Sequence, residues 1–207
     1  MIDEAERPSI RPVEADDWPA FSRLFEARGS PKNCWCMAWR GTREERAEIA
    51  KVTGTKDASG RARSSALRRE AMRTRIVANI PVGLLALVSD QPVGWCSIAP
   101  RPTYRNLGGP KDYADRPENV WSIACFFITK PWRARGLTGD LVAAAIAYAR
   151  DNGAEIIEAT PVEPDSTSYR FMGVRPVFAA AGFQSVGQAG HKRTIMRLTF
   201  EPKAAET

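Results

Sequence analysis

The stretch from Val120 to Thr160 constrains the fold more than any other part of the chain. Val120 to Thr129 is a strongly apolar run, read as a strand buried on both faces. Pro131 ends it, and a helix is expected from near Gly136 to about Asp151, stopping at Asn152 and Gly153. Ala154 to Thr160 is a second apolar strand. A strand, a helix and a strand in succession make a βαβ unit. The two strands are therefore expected to be parallel and joined by a right-handed crossover.

The flanking sequence supplies the rest of a mixed sheet. Ser9 to Val13 reads as a first strand. Asp16 or Asp17 is positioned to cap an amphipathic helix carrying Trp18, Phe21, Leu24 and Phe25, which ends near Gly29–Ser30–Pro31. A helix from about Thr42 to Lys51 has Thr42 and Glu45 in capping-box register, and a basic helix follows from about Arg61 to Ala78. Gly83 to Val88 and Val93 to Ile98 flank the turn residues Ser89–Asp90–Gln91–Pro92 and predict a hairpin. A long polar loop runs from about Pro100 to Glu118, a length more often functional than idle. After the βαβ unit come a short helix, Val174 to Ala181, and strands near Phe183 to Val186 and Arg193 to Phe200. At 207 residues, without internal repeats, one domain over 1–207 is expected.

Composition removes several classes of function. No apolar run approaches the roughly 20 residues of a membrane span, and Met1 to Pro8 is too acidic for a signal peptide. The four cysteines, Cys34, Cys36, Cys96 and Cys125, are too few and too irregularly spaced for a disulfide scaffold, so a reducing, cytoplasmic compartment is expected. A single histidine, His191, removes most zinc sites and Ser/His/Asp triads, and no metal is expected. The net charge of +6 would suit nucleic acid. Much of it, however, lies on one helix (Arg61, Arg63, Arg68, Arg69, Arg73, Arg75), read mainly as a solvated face, and in the segment Arg133 to Arg135. There is no helix-turn-helix, ribonucleoprotein or zinc motif, which argues against a nucleic-acid partner.

The chemistry-bearing segment is Arg133-Ala134-Arg135-Gly136-Leu137-Thr138-Gly139, where the buried strand turns through a short basic loop into a helix. The first turn of a helix offers backbone N–H groups without intrahelical partners, at the electropositive end of the aligned peptide dipoles. Small residues let a phosphate approach those amides, and arginines add charge and bidentate geometry. An anion site of pyrophosphate type follows. The pattern is not that of a P-loop, and it lies too late in the chain for a Rossmann fingerprint.

Arg133-Ala134-Arg135-Gly136-Leu137-Thr138 resembles motif A of the GNAT superfamily, R/Q-x-x-G-x-G/A, with Thr138 where Gly or Ala is usual. Phe178-Ala179-Ala180-Ala181-Gly182-Phe183 resembles the later Y-x-x-x-G-F signature. Cys34-Trp35-Cys36 is similar to clusters found in a bacterial branch of the superfamily. The resemblance implies an α/β (α+β) GNAT fold. Its central sheet would be mixed but mostly antiparallel, with six to seven strands, a parallel splayed pair and helices on both faces. It places a coenzyme-binding core at about 83–200 and a helical, acceptor-side segment at about 14–80. By the same resemblance the activity is acetyl transfer from acetyl-CoA to a small-molecule or protein amine by direct attack. Phe126, Phe127 and Ile128 would lie along the pantetheine arm, residues Arg133 to Gly139 would hold the pyrophosphate, and Phe178 would stand near the thiol.

Direct attack calls for a base and benefits from an acid. Glu158, mid-strand in an apolar run, is the preferred base, with pairing to an arginine as its alternative, and Glu118 is the second candidate. The usual tyrosine acid is replaced by Phe178, leaving Tyr169, Tyr113, a water or an unassisted thiolate, and leaving an acyl-CoA-binding sensor as the alternative function. Cys125 as nucleophile is set against simple core packing. Trp35 and Trp39, with Trp121, are the candidate acceptor wall, core packing of the tryptophans being the alternative. A homodimer stays open.

Overall fold

The structure is a computed structural model and describes residues 7–53, 58–108 and 119–201. Seven strands form one sheet: β1 (Ser9–Pro12), β2 (Leu84–Val88), β3 (Gln91–Pro100), β4 (Val120–Ile128), β5 (Ile156–Ala159), β6 (Gln184–Ala189) and β7 (Arg193–Thr199). Their order across the sheet is β1-β2-β3-β4-β5-β7-β6. Only β4 and β5 pair in parallel; the other neighbours are antiparallel. The expected mixed, mostly antiparallel sheet with one parallel pair is what forms.

Among the described residues, five α-helices complete the layers: α1 (Trp18–Glu26), α2 (Arg43–Thr53), α3 (Ala58–Val77), α4 (Leu137–Asp151) and α5 (Arg175–Ala180). Alternation along the strands decides which layer covers which face. Leu84, Ala86, Cys96 and Ile98 point to α4 and α5, where Leu141, Val142, Ala145 and Phe178 meet them. Leu85, Leu87 and Trp95 point the other way, onto Phe21, Leu24 and Phe25 of α1 and Met72 and Ile76 of α3. Phe21, Leu24 and Phe25 are fully buried or nearly so, and each contributes about 1.5–3 kcal/mol from the apolar surface it removes from water.

Three local details differ from expectation. Asp17 does not cap α1 through its side chain; its carboxylate instead accepts from the Glu14 amide (3.0 Å) and from both terminal nitrogens of Arg11. The guanidinium offers a charged, two-pronged partner that outcompetes a helix-end amide. The hairpin turns on Ser89 and Asp90 alone, both with positive φ (44° and 64°), so Gln91 and Pro92 already belong to β3. That matches the two-residue turn whose twist suits antiparallel strands. The arginines of α3 are not simply solvated. Arg75 pairs with Glu45 of α2, Arg69 reaches Glu26 and lies over Trp18, and Arg68 donates to the Asn33 carbonyl, tying the helix to its neighbours. The Thr42–Glu45 capping box forms in both directions.

Candidate coenzyme and acceptor site

The centre of the sheet is where the strands part. β4 and β5 are in register from Val120↔Ile156 to Ile123↔Ala159, and there the pairing ends. Beyond it, β4 continues to Ile128 against β3, and its other edge has no strand alongside among the described residues. A β-bulge falls at the same place. Ser97 of β3 faces Cys125 and Ile98 faces Ile123, so Ala124 is an extra residue in β4. The bulge resets the alternation: Trp121 and Ile123 face α4, but so do Phe126 and Ile128, while Cys125 and Phe127 face the α1 side.

At the end of β4 a short 3-10 turn, Lys130–Trp132, carries the chain into the loop before α4. Ala134 and Gly136 both take left-handed backbone conformations (φ 57° and 85°), which wrap the loop tightly enough for α4 to start at Leu137. The Gly139 amide is already used by the Gly136 carbonyl (2.8 Å). A side-chain carbon at Gly136 or Gly139 would meet nothing within 4 Å, so the helix start faces open space. Arg133, Ala134, Arg135 and Gly136 are exposed and Thr138 half-buried. Arg135 lies over the Trp132 ring (5.2 Å), and Arg133 Nε donates to the Ile128 carbonyl (2.9 Å). Leu137 differs from its neighbours. Its side chain is buried against Gly94 of β3, which leaves only its backbone to face a ligand. The loop, the exposed arginines and the open helix start fit a pyrophosphate group by the donor set they present.

A cavity of about 410 Å³ opens beside the parted strands, lined from β4 by Ala124, Cys125, Phe126 and Phe127 and reaching Arg133. Its opposite wall is the loop that follows α1. There Cys34, Cys36 and Ala38 face the cavity, while Trp35 and Met37 are buried in the core. Trp39 also lines the cavity, flanked by the guanidinium groups of Arg105 (4.6 Å) and Arg193 (5.2 Å). Burial holds the Arg193 guanidinium below its ordinary range.

Of the three tryptophans expected at an acceptor wall, only Trp39 lines this cavity. Trp35 stacks on Phe25 (5.7 Å) and donates to Ser65 Oγ (3.1 Å). Trp121 meets Tyr148 of α4 edge-on (5.2 Å) on the far face of the sheet. An irregular segment carries no periodicity by which the two tryptophans of the loop could have been told apart.

Glu158 is 2% exposed and does not line the cavity. Its Oε2 accepts from Arg197 Nε at 2.9 Å and lies 3.6 Å from Arg101, so the carboxylate is held by two guanidinium groups. Glu118 and Tyr113 lie outside the described residues. Phe178 is fully buried, enclosed by Phe126, Phe183 and Gly173. Tyr169 is half-exposed with its ring under Arg193. Sequence reasoning missed Phe171, an exposed aromatic on the cavity rim, and Arg40, buried beneath it at 3% exposure. Arg40 donates to the Val82 carbonyl, Ser97 Oγ and Tyr104 Oη, with no described carboxylate as partner. Only its neighbour Trp39 marked the region.

Among curated proteins none is similar to this chain by sequence. Solved structures share the fold. The crystal structure of an acetyltransferase superposes at a TM-score of 0.58 with 16% identity, covering 93% of this chain and 100% of that one. The ribosomal-protein-S5-alanine acetyltransferase of Vibrio fischeri gives 0.51, with 12% identity over 94% and 93% of the two chains. The yncA protein of Salmonella typhimurium, solved with its cofactor acetyl-CoA, gives 0.50, with 15% identity over 97% and 98%. The family model described as acetyltransferase (GNAT) matches residues 52–173, which takes in the parted strands and the helix start. With more than half of its length matched by that model, the chain belongs to the GNAT acetyltransferase family.

Proposed function

We propose that the chain uses acetyl-CoA to acetylate an amine, with the pantetheine arm lying along the free edge of β4 and the pyrophosphate at the start of α4. The observation that carries this assignment is the juxtaposition of three features: the parting of β4 from β5 after Ile123, the open helix start at Gly136, and the cavity that adjoins both. Backbone amides from Arg135 to Thr138 bind the anion, Gly139 leaving room for it rather than donating, and Arg133 is oriented toward it by its bond to the Ile128 carbonyl. Residues Ala124 to Phe127 form the floor on which the acetyl group rests. Acetyl-CoA supplies the activated acyl carbon, and the amine, small or on a protein, attacks it from the Trp39 side.

Residues 83–200 thus serve the coenzyme and residues 14–80 the acceptor. Glu158 acts through position, fixing β5 and β7 at the point where the sheet opens, rather than as a base. The cysteines are free thiols, which supports a reducing compartment, read here as the cytoplasm.

Calorimetric titration with acetyl-CoA tests this reading. The parent protein should bind, and an Arg133→Ala/Gly136→Asp double variant with an unchanged circular-dichroism spectrum should not. Failure of the folded parent to bind acetyl-CoA overturns the assignment.

A further inference from the structure

Three of the four cysteines, Cys34, Cys36 and Cys125, converge on the one cavity, and the proposed transfer reaction uses none of them. Cys36 is the distinctive one. It and Trp35 are consecutive non-glycine residues in left-handed backbone conformations (φ 52° and 49°). Such strain persists only where the surroundings enforce it, and it gathers at functional positions. Here the enforcement is visible: the Cys34 and Trp35 amides both donate to the Pro31 carbonyl, and the Met37 amide donates back to Cys34. The result aims Cys36 Sγ at β3 and β4.

The surroundings of that sulfur suit an anion. Trp95 Nε1, which can only donate, lies 3.0 Å from it. The thiol of Cys125 lies against it from the bulged part of β4, both residues lining the cavity, and the buried guanidinium of Arg40, which no described carboxylate neutralises, adds positive potential. The Cys125 hydrogen bond is the main influence holding the Cys36 thiol below its ordinary range. The same bond, with burial, pushes Cys125 well above it, and burial raises Cys34 and Cys96. One sulfur of the cluster is thus prepared as the nucleophile and its hydrogen-bond partner as the resolving thiol.

We propose that Cys36 and Cys125 form a dithiol modification site that reacts with small peroxides entering the cavity. The Cys36 thiolate attacks one peroxide oxygen; the O–O bond breaks, an S–O bond forms, and the departing hydroxide takes up the proton that the Cys36 thiol gave to solvent on ionising. Cys125 then attacks the Cys36 sulfur; the S–O bond breaks, the S–S bond forms, and the departing hydroxide takes the Cys125 proton as water. The two thiols lose two electrons and the peroxide is reduced to two waters. Cys125 is the partner, and not Cys34, because its sulfur is the one that lies against Cys36. The resulting bridge joins the acceptor-side loop to the floor of the cavity. Its effect on acetyl transfer rests on the function proposed above, whereas the thiol chemistry does not.

The test treats the full-length protein with hydrogen peroxide, then denatures and alkylates it with iodoacetamide. Intact mass should show alkylated cysteines falling from four to two, peptide mapping should show Cys36 linked to Cys125, and dithiothreitol should restore all four. Cys34→Ser should still form the link, Cys36→Ser should leave its three remaining cysteines alkylated, and Cys125→Ser should stop at a Cys36 sulfenic acid that dimedone traps. Four alkylated cysteines after treatment, or a link through Cys34 or Cys96, overturns the proposal. The parent result needs no variant, so a misfolded Cys36→Ser does not spare it. Acetyl-CoA titration of the reduced protein runs alongside. Absent binding with the link intact would sink the acetyltransferase assignment alone, and intact binding without the link would sink the dithiol site alone.

Discussion

Glu158 on β5 and Arg197 on β7 face each other in register across the sheet, with Nε 2.9 Å from Oε2 and both side chains largely out of solvent. Arg101 approaches the same oxygen from the turn after β3. Removing the carboxylate leaves two guanidinium groups to face each other in a poorly solvated space. Glu158→Gln should therefore cost about 3 kcal/mol of stability in urea unfolding. Its acetyl-transfer rate per folded molecule should stay within about threefold of the parent. A general base would behave in the opposite way, losing about 10²-fold or more in rate at little cost in stability.

Trp39 and Trp35, four residues apart, should separate function from folding. Trp35→Ala empties a packed position and should cost about 3–5 kcal/mol. Trp39→Ala should cost about 1 kcal/mol, in line with a half-buried side chain, while raising KM for the amine acceptor. Calorimetry and steady-state kinetics on the two variants check this directly. Equal stability losses would remove Trp39 from the wall.

The Arg11–Asp17 pair gives a pH signature. Burial opposes ionisation of Asp17, but the Arg11 guanidinium and the Glu14 amide outweigh it and hold the carboxyl below its ordinary value of 3.8. A carboxyl depressed in the folded state contributes stability above the unfolded value and loses it as pH falls through the folded one. The stability difference between the parent and Asp17→Asn should therefore be constant from pH 7 to about pH 5 and shrink below about pH 4. A gap that widens on acidification would contradict the ion-pair account.

Gly83 should tolerate no side chain. Its φ is 151°, and an added carbon would lie 2.1 Å from the Cys96 carbonyl oxygen and 2.6 Å from the Trp95 ring. Gly83→Ala should cost about 3 kcal/mol, at the upper end of overpacking effects. Gly153→Ala, at φ 78° with nothing within 4 Å, should cost only about 1 kcal/mol, from backbone strain alone. Thermal melts of the pair separate collision from conformation.

The order of strands and helices was legible because each carries its own period. β4 is apolar throughout, α1 repeats at helical spacing, and α4 is bracketed by Gly136 and Gly153. The loop before α4 was legible for the same reason, since glycines and arginines at a strand-to-helix turn state their own chemistry. The cavity wall opposite β4 was not. Cys34 to Trp39 belongs to no regular element, so its alternation between core and cavity is set by the Pro31 carbonyl and the packing of Trp35, not by spacing. Pairing with an arginine was the stated alternative for Glu158, but which arginines was not legible, because they stand 57 and 39 positions away in the chain, a separation that strand pairing bridges and a sequence pattern does not.

The extra residue gives β4 one residue of slack. Deleting Ala124 would close the bulge and restore unbroken alternation from Trp121 to Ile128, with Trp121, Ile123, Phe126 and Ile128 still turned to α4 and Cys125 and Phe127 still turned to α1. What disappears is the bend and added twist that the extra residue gives the strand where its pairing with β5 ends. A single lost codon there therefore spares both packed faces of the sheet and reshapes the wall of the cavity instead.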